Sequence, residues 1–283
     1  ATAMKQEDFV DKLFVASTHD TILCFSTRGK VYWKKVYSLP QAGRTARGRP
    51  FVNLLPLEEG ERISAVLPIR EYDESQFVFM ATSSGLVKKT PLTDFSRPRA
   101  NGIIALDLVG EDQLVGVDIT NGERDVMLFT SAGKSIRFSE THVRAMGRTA
   151  RGVRGIKMDE GQTLISLIIV DTGDVLTVTE HGYGKRTSLD QYSPQGRGGQ
   201  GVISIQTTSR NGAVVGAVLV DVDHEVMLIS NGGTLVRTRV AEISLMGRNT
   251  QGVRLISLSG GETLVGVERV LEEQDDEVES TEE

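Results

Sequence analysis

Val126-Met127-Leu128-Phe129-Thr130-Ser131-Ala132-Gly133-Lys134-Ser135-Ile136-Arg137-Phe138 reads as an apolar strand, a tight turn closed by glycine, and a second strand that carries cations. The same order occurs five times in the chain. The turn glycine stands at Gly29, Gly85, Gly133, Gly182 and Gly233, and a second glycine follows at Gly48, Gly102, Gly152, Gly201 and Gly252. The two glycines are 19, 17, 19, 19 and 19 residues apart. Such regularity marks one supersecondary unit copied and stacked, because a single unit cannot bury its own apolar face.

The apolar runs (Ile22 to Phe25, Val78 to Ala81, Val126 to Phe129, Val175 to Val178, Val226 to Ile229) are short, bounded by turn residues and rich in Val, Ile and Phe, which favours strand over helix. After each turn the cations follow: Lys30 to Lys35 with Lys34 and Lys35, Lys88 and Lys89, Lys134 to Arg137, Lys185 and Arg186, Arg237 and Arg239. A polar loop, a short strand such as Val153 to Met158 or Val202 to Gln206, and a closing apolar strand complete the unit. The closing strands are Ile63 to Ile69, Leu114 to Ile119, Leu164 to Val170, Val214 to Val220 and Leu264 to Val270. Four strands in about fifty residues is the blade size of propeller-like folds, so the pattern predicts an all-β array. Leu13 to Ala16 reads as a closing strand without predecessors, so five full repeats and the end of a sixth are expected. Helical periodicity is nearly absent; Ser139 to Met146 is the best short candidate.

The net charge of −6 hides an asymmetry. Residues 272–283 contain eight acidic and no basic side chains, so residues 1–271 carry 32 Lys and Arg against 30 Asp and Glu, a net of +2. The array is expected over 1–271 and an acidic disordered tail over 272–283, either solubilising or competing for the basic surface of the body. No run of 18 apolar residues exists to span a membrane. The single cysteine, Cys24, lies in an apolar strand and reads as a small buried hydrophobe, consistent with a reducing cytoplasm. Aromatic content of 5% argues against base stacking on single strands.

The loops before the second glycine carry the chemistry. Gly43-Arg44-Thr45-Ala46-Arg47-Gly48 recurs letter for letter at Gly147 to Gly152, with Arg148 and Arg151. Gly196-Arg197-Gly198-Gly199-Gln200-Gly201 and Gly247-Arg248-Asn249-Thr250-Gln251-Gly252 keep the Gly-Arg-x-x-x-Gly form, and the second repeat departs with Arg97-Pro98-Arg99. Glycine permits close backbone approach, exposed N–H groups make anion-binding concavities, and arginine offers a fork that fits phosphate. In a toroidal array equivalent positions fall on one rim, which gives a track of cations for a polyanion. Few aromatics and regularly spaced cations suit a duplex backbone, bound with little sequence reading.

Thr18-His19-Asp20, Ile22 to Phe25, Lys35-Val36-Tyr37, Arg47-Gly48-Arg49-Pro50, Val143 to Gly147 and Gly247 to Val253 closely resemble the C-terminal domain family of the bacterial DNA gyrase A protein, and the resemblance covers essentially the whole chain. It implies a six-bladed β-pinwheel whose blades exchange strands, with the first blade incomplete. It also implies that double-stranded DNA wraps the outer rim with a fixed hand, so that the full enzyme introduces negative supercoils. The partners implied are the gyrase A breakage-reunion core and the gyrase B protein, in the bacterial cytoplasm, with no membrane and no cofactor for this part. Arg49 and Gln195 join the DNA-binding set on this basis: Gln195 to Gly201 is similar to a degenerate copy of the family heptapeptide Gln-Arg-Arg-Gly-Gly-Lys-Gly, whose true copy is expected upstream of Ala1.

The homologous part of topoisomerase IV is the near alternative, and a protein-interaction platform the distant one. An enzyme reading finds no Walker lysine loop, no His-Glu-x-x-His and no Gly-x-Ser-x-Gly elbow. The four histidines, His19, His142, His181 and His224, show no metal-ligand spacing.

Overall fold

The structure, a computed structural model, describes residues 14–42, 49–50 and 53–270. Leu13, Arg44, Arg47 and the acidic tail lie outside the described residues.

Each repeat opens with a hairpin. The first strands are β1 (Thr21–Ser26), β4 (Phe77–Thr82), β8 (Asp125–Thr130), β12 (Asp174–Thr179) and β16 (Glu225–Ser230), and their partners are β2 (Lys30–Lys35), β5 (Leu86–Pro91), β9 (Lys134–Ser139), β13 (Tyr183–Ser188) and β17 (Leu235–Arg239). In the first four hairpins a three-residue loop ends in glycine with positive φ, the turn that lets a hairpin keep its right-handed twist. The closing strands β3 (Ile63–Ile69), β7 (Leu114–Thr120), β11 (Leu164–Ile169), β15 (Val214–Val220) and β19 (Leu264–Val270) pair with the other edge of β1, β4, β8, β12 and β16. Each of those pairings carries a register shift at its end, a bulge that sharpens the local twist.

The short strands exchange between sheets, as the family resemblance implied and the repeat pattern by itself did not. β6 (Ile103–Ile104), β10 (Val153–Arg154), β14 (Val202–Ile203) and β18 (Val253–Arg254) do not join the sheet of their own repeat. Each crosses to the preceding one, giving the orders β3-β1-β2-β6, β10-β5-β4-β7, β11-β8-β9-β14 and β15-β12-β13-β18. The fifth sheet, β17-β16-β19, has three strands, and no further repeat among the described residues supplies a fourth. The glycines explain how the crossing is possible. Gly182 (φ +83°) faces the Ile256 carbonyl so closely that a Cβ would lie 2.6 Å from its oxygen, and Gly182 itself accepts the N–H of Leu255 at 2.8 Å. Gly252 (φ +75°) lies against the carbonyl of Gly184, where a Cβ would sit 2.7 Å from the oxygen. The paired glycines of the repeat are therefore two of the sites at which consecutive units touch backbone to backbone. Gly233, in the last described hairpin turn, has nothing within 4 Å, and no unit docks on it among the described residues.

Five sheets are present among the described residues. Of the closing strand expected at the N-terminus, the described residues Phe14 to Ala16 carry no strand, and Phe14 lines the axial cavity. That cavity is bordered by the middle residues of β3, β7, β11, β15 and β19, which places the closing strands at the axis and the exchanged strands at the outer edge. The apolar cores lie between consecutive sheets. Leu23, Phe25, Val78, Met80 and Phe95 fill the first interface, and Phe79, Val126, Leu128 and Phe138 the second. Both faces of the central strands are thus covered, which explains why they read as continuous apolar runs rather than alternating ones. Cys24 is buried in β1, and burial pushes its thiol up to about 12. Ser139 to Met146 forms only a single 3-10 turn, Glu140–His142.

Candidate nucleic-acid interface

The Gly-Arg loops run into the exchanged strands, so they decorate the outer edge of the sheet that precedes their own repeat. Residues 147–152 lead into β10, 196–201 into β14 and 247–252 into β18, while 97–102 lead into β6. The arginines at the second position are repeated in structure as well as in sequence. Arg148 donates from Nη1 to the Ile104 carbonyl (3.0 Å), Arg197 from Nη1 to the Arg154 carbonyl (2.5 Å), and Arg248 from Nη1 to the Ile203 carbonyl (2.8 Å). Each acceptor is the second residue of the neighbouring outer strand. Every guanidinium therefore bridges from one outer edge to the next, half-buried, with its other donors uncommitted to any carboxylate among the described residues. A carbonyl leaves the full positive charge in place. These three side chains are evenly stepped cations on the circumference.

The remaining sequence-predicted residues fall into three groups. Arg97 and Arg99 are exposed on the loop before β6, Arg49 is exposed, and Lys35 is exposed with its Nζ donating to Thr21 Oγ1 (2.6 Å). Arg97 and Arg148 share an open cleft with Thr93, Asp94, Ser96 and Thr149, and Lys34 and Arg99 line a second one with Tyr32 and Trp33. Gln195 is half-buried, its backbone N–H donating to the Arg137 carbonyl (2.7 Å).

A second group is paired with carboxylates. Arg137 pairs with Asp125 (2.9 Å), Arg186 with Asp174 (3.0 Å) and Arg237 with Glu225, which also lies 3.9 Å from Arg239. Arg151 is exposed but pairs with Asp107 (2.9 Å). These pairs weaken the field that the sequence pattern suggested.

The third group corrects the sequence reading. Lys88, Lys89 and Lys185 are buried, at 0%, 6% and 0% exposure, and cannot touch a duplex in this structure. Lys89 lies beside buried Glu140 (3.5 Å), donates to its carbonyl and sits over the Phe77 ring. Lys88 and Lys185 end among the carbonyl oxygens of the Gly-Arg loops. The cause is the double coverage of each central sheet, which buries side chains on both faces of the second strand.

Three arginines lie at the same edge without having been expected there. Arg154 is exposed in β10. Arg210 and Arg254 both donate to the Tyr183 hydroxyl (3.3 and 3.1 Å) and lie over its ring, and their hydrogen bonds, Arg210's first, hold that phenol below its ordinary value. The repeated Val-Arg at 153–154 and 253–254 was the available signal. No group of three or more His, Cys, Asp or Glu placed to hold a metal occurs among the described residues, and no helix there is long and apolar enough to cross a membrane.

The family model of the DNA gyrase C-terminal domain, described as a beta-propeller, matches residues 20–70, 76–121, 124–171, 173–221 and 224–270, one match per repeat. Over 98% of its length the chain is 62% identical to the DNA gyrase A protein of Salmonella typhimurium and 56% identical to that of Escherichia coli. It spans 32% of either relative. Among solved structures, a DNA gyrase A C-terminal domain superposes with a TM-score of 0.79 at 26% identity, covering 90% of this chain and 84% of that one. The C-terminal domain of a DNA topoisomerase IV gives a TM-score of 0.81 at 23% identity, covering 89% and 80%, a likeness of fold.

Proposed function

Because the chain belongs to the DNA gyrase C-terminal domain family, we propose that it binds double-stranded DNA along its outer edge and bends the duplex around itself. In this reading it has no catalytic group or cofactor of its own. It serves a type II topoisomerase by delivering a wrapped segment of fixed hand to the gyrase A breakage-reunion core, which works with gyrase B in the bacterial cytoplasm. The high identity to gyrase A proteins supports gyrase over topoisomerase IV. A sixth blade between the fifth and first sheets belongs to the same proposal: β17 has an open outer edge where the other four sheets carry an exchanged strand.

The observation that carries the proposal is the stepped placement of Arg148, Arg197 and Arg248, each on the next outer edge and each retaining its charge. A duplex following that edge meets a cation once per blade without base contacts. Bending it costs several kcal/mol, by elastic estimates about 1–6 for a site of roughly 20–30 bp, and the added phosphate contacts offset this. Relaxed plasmid closed by ligase in the presence of the protein is expected to acquire a linking-number change of one sign. Affinity is expected to fall with salt by about 0.9 log unit per log unit for each phosphate neutralised. A flat salt series, or closed plasmid with unchanged topology, would refute the wrapping mode.

A further inference from the structure

We propose that Lys88 and Lys185 are positioning residues that turn two of the outer loops, 147–152 and 247–252, into built phosphate seats. The inference rests on the duplex reading above and divides the edge into two kinds of contact. Lys88 Nζ donates to the carbonyls of Ala105 (2.6 Å), Arg148 (2.6 Å) and Ala150 (3.1 Å). Lys185 Nζ donates to the carbonyls of Gly247 and Arg248 (2.6 Å each) and to Thr250 Oγ1 (2.9 Å). The two lysines occupy the same register, opposite Met80 and Thr177, where the other sheets carry Tyr32, Ile136 and Val236. Among the described sheets, seats of this kind therefore occur in the second and fourth alone.

The consequence follows from peptide geometry. In a trans peptide the C=O and the N–H of the next residue point in opposite directions. Carbonyls drawn inward at Arg148 and Arg248 turn the N–H groups of Thr149 and Asn249 outward, and the inward Ala150 carbonyl does the same for Arg151. None of these N–H groups meets an acceptor among the described residues. Outward N–H groups beside the free donors of Arg148 or Arg248, with an ammonium beneath, form a concavity for an anion. The ammonium adds charge that solvent screens poorly, because it lies inside.

The charged groups facing Lys88 are Arg148 on the loop before β10, Asp107 after β6, and Asp94 in the 3-10 turn after β5; Arg248 faces Lys185. Burial, then the neighbouring arginine, lowers both ammonium groups to about 8. Below that pH both are charged, and a phosphate on the loop favours the charged form. Duplex affinity must therefore drop as pH rises through 8. Folded stability moves the other way, because the unfolded chain keeps these protons up to about 10.5 and the folded chain gives them up earlier. Loss of affinity at high pH is thus separable from unfolding.

The test measures binding of the full chain to a labelled duplex long enough to reach both loops, by anisotropy at fixed salt from about pH 7 to about pH 9.5, across the folded-state value. The expected result is a drop of about tenfold for the unaltered chain, on the scale of one charge-assisted contact. A Lys88→Met, Lys185→Met variant is expected to bind about tenfold more weakly at pH 7 and to show a flat profile. A flat profile for the unaltered chain overturns the inference, and that measurement stands even where the double variant does not fold. Salt-dependent binding that is equal in both proteins overturns the inference and leaves the duplex reading intact. Failure of the unaltered chain to bind at all removes both.

Discussion

Replacing Arg148, Arg197 and Arg248 together by glutamate is expected to lower duplex affinity by about a thousandfold, roughly tenfold for each side chain at ~1.4 kcal/mol. The three side chains are half-buried, and each spends one N–H on a neighbouring strand carbonyl, Arg197 giving a second, from Nε, to the His142 carbonyl (3.2 Å). Glutamate removes that bridge, at a net cost of about 1 kcal/mol each, and so a second variant is needed to separate fold from charge. Glutamine at the same three positions has the same size as glutamate and loses the same guanidinium bridge, yet introduces no negative charge. It is expected to lose about as much thermal stability as the glutamate variant and much less affinity. Gel shifts at low salt, with melting curves of both proteins, make the comparison. Equal affinities for the glutamine and glutamate variants would show that the edge does not act through its charge.

The strands and their order were legible because both faces of each sheet are covered. Coverage makes the runs from Ile22, Val78, Val126, Val175 and Val226 continuously apolar, and such runs are hard to mistake. The exchange of the short strand came from the family resemblance and was not legible in the residue pattern, because only Val153 and Arg154 pair with Val87 and Leu86 of the preceding repeat. Two residues of pairing are too few to show which sheet they join. The carboxylate-paired arginines could have been found. Asp125 and Arg137, Asp174 and Arg186, and Glu225 and Arg237 are all twelve residues apart, the separation that a hairpin of this length folds into cross-strand neighbours. The buried lysines could not. Lys88 and Lys89 are adjacent and so point to opposite faces of β5, and only the packing of sheets on both sides hides them. A lysine that satisfies itself on loop carbonyls sixty residues away looks, in sequence, like any surface lysine.

Gly182→Ala is expected to destabilise the array by about 3 kcal/mol, and Gly233→Ala by about half that or less. Both glycines close hairpin turns with positive φ, at +83° and +85°, where a side chain costs about 1–2 kcal/mol. They differ in what lies beyond. At Gly182 the new methyl would meet the Ile256 carbonyl at 2.6 Å, and the segment after β18 that carries Leu255 and Ile256 must retreat. Its two hydrogen bonds to the Gly182 carbonyl, at 2.8 and 3.3 Å, weaken or break at about 1 kcal/mol each. At Gly233 the methyl enters open space and meets nothing. At about 2–4 °C per kcal/mol, the melting temperatures of the two variants should differ by several degrees, measurable by calorimetry. The difference isolates the docking of one unit on the turn of the previous one, because the strain of the turn is common to both variants. Equal melting temperatures would mean that the turn glycines serve only their own hairpins. The contacts that join consecutive blades, and that step the outer edge from one blade to the next, would then have to lie in the exchanged-strand pairing, the arginine bridges and the apolar interfaces.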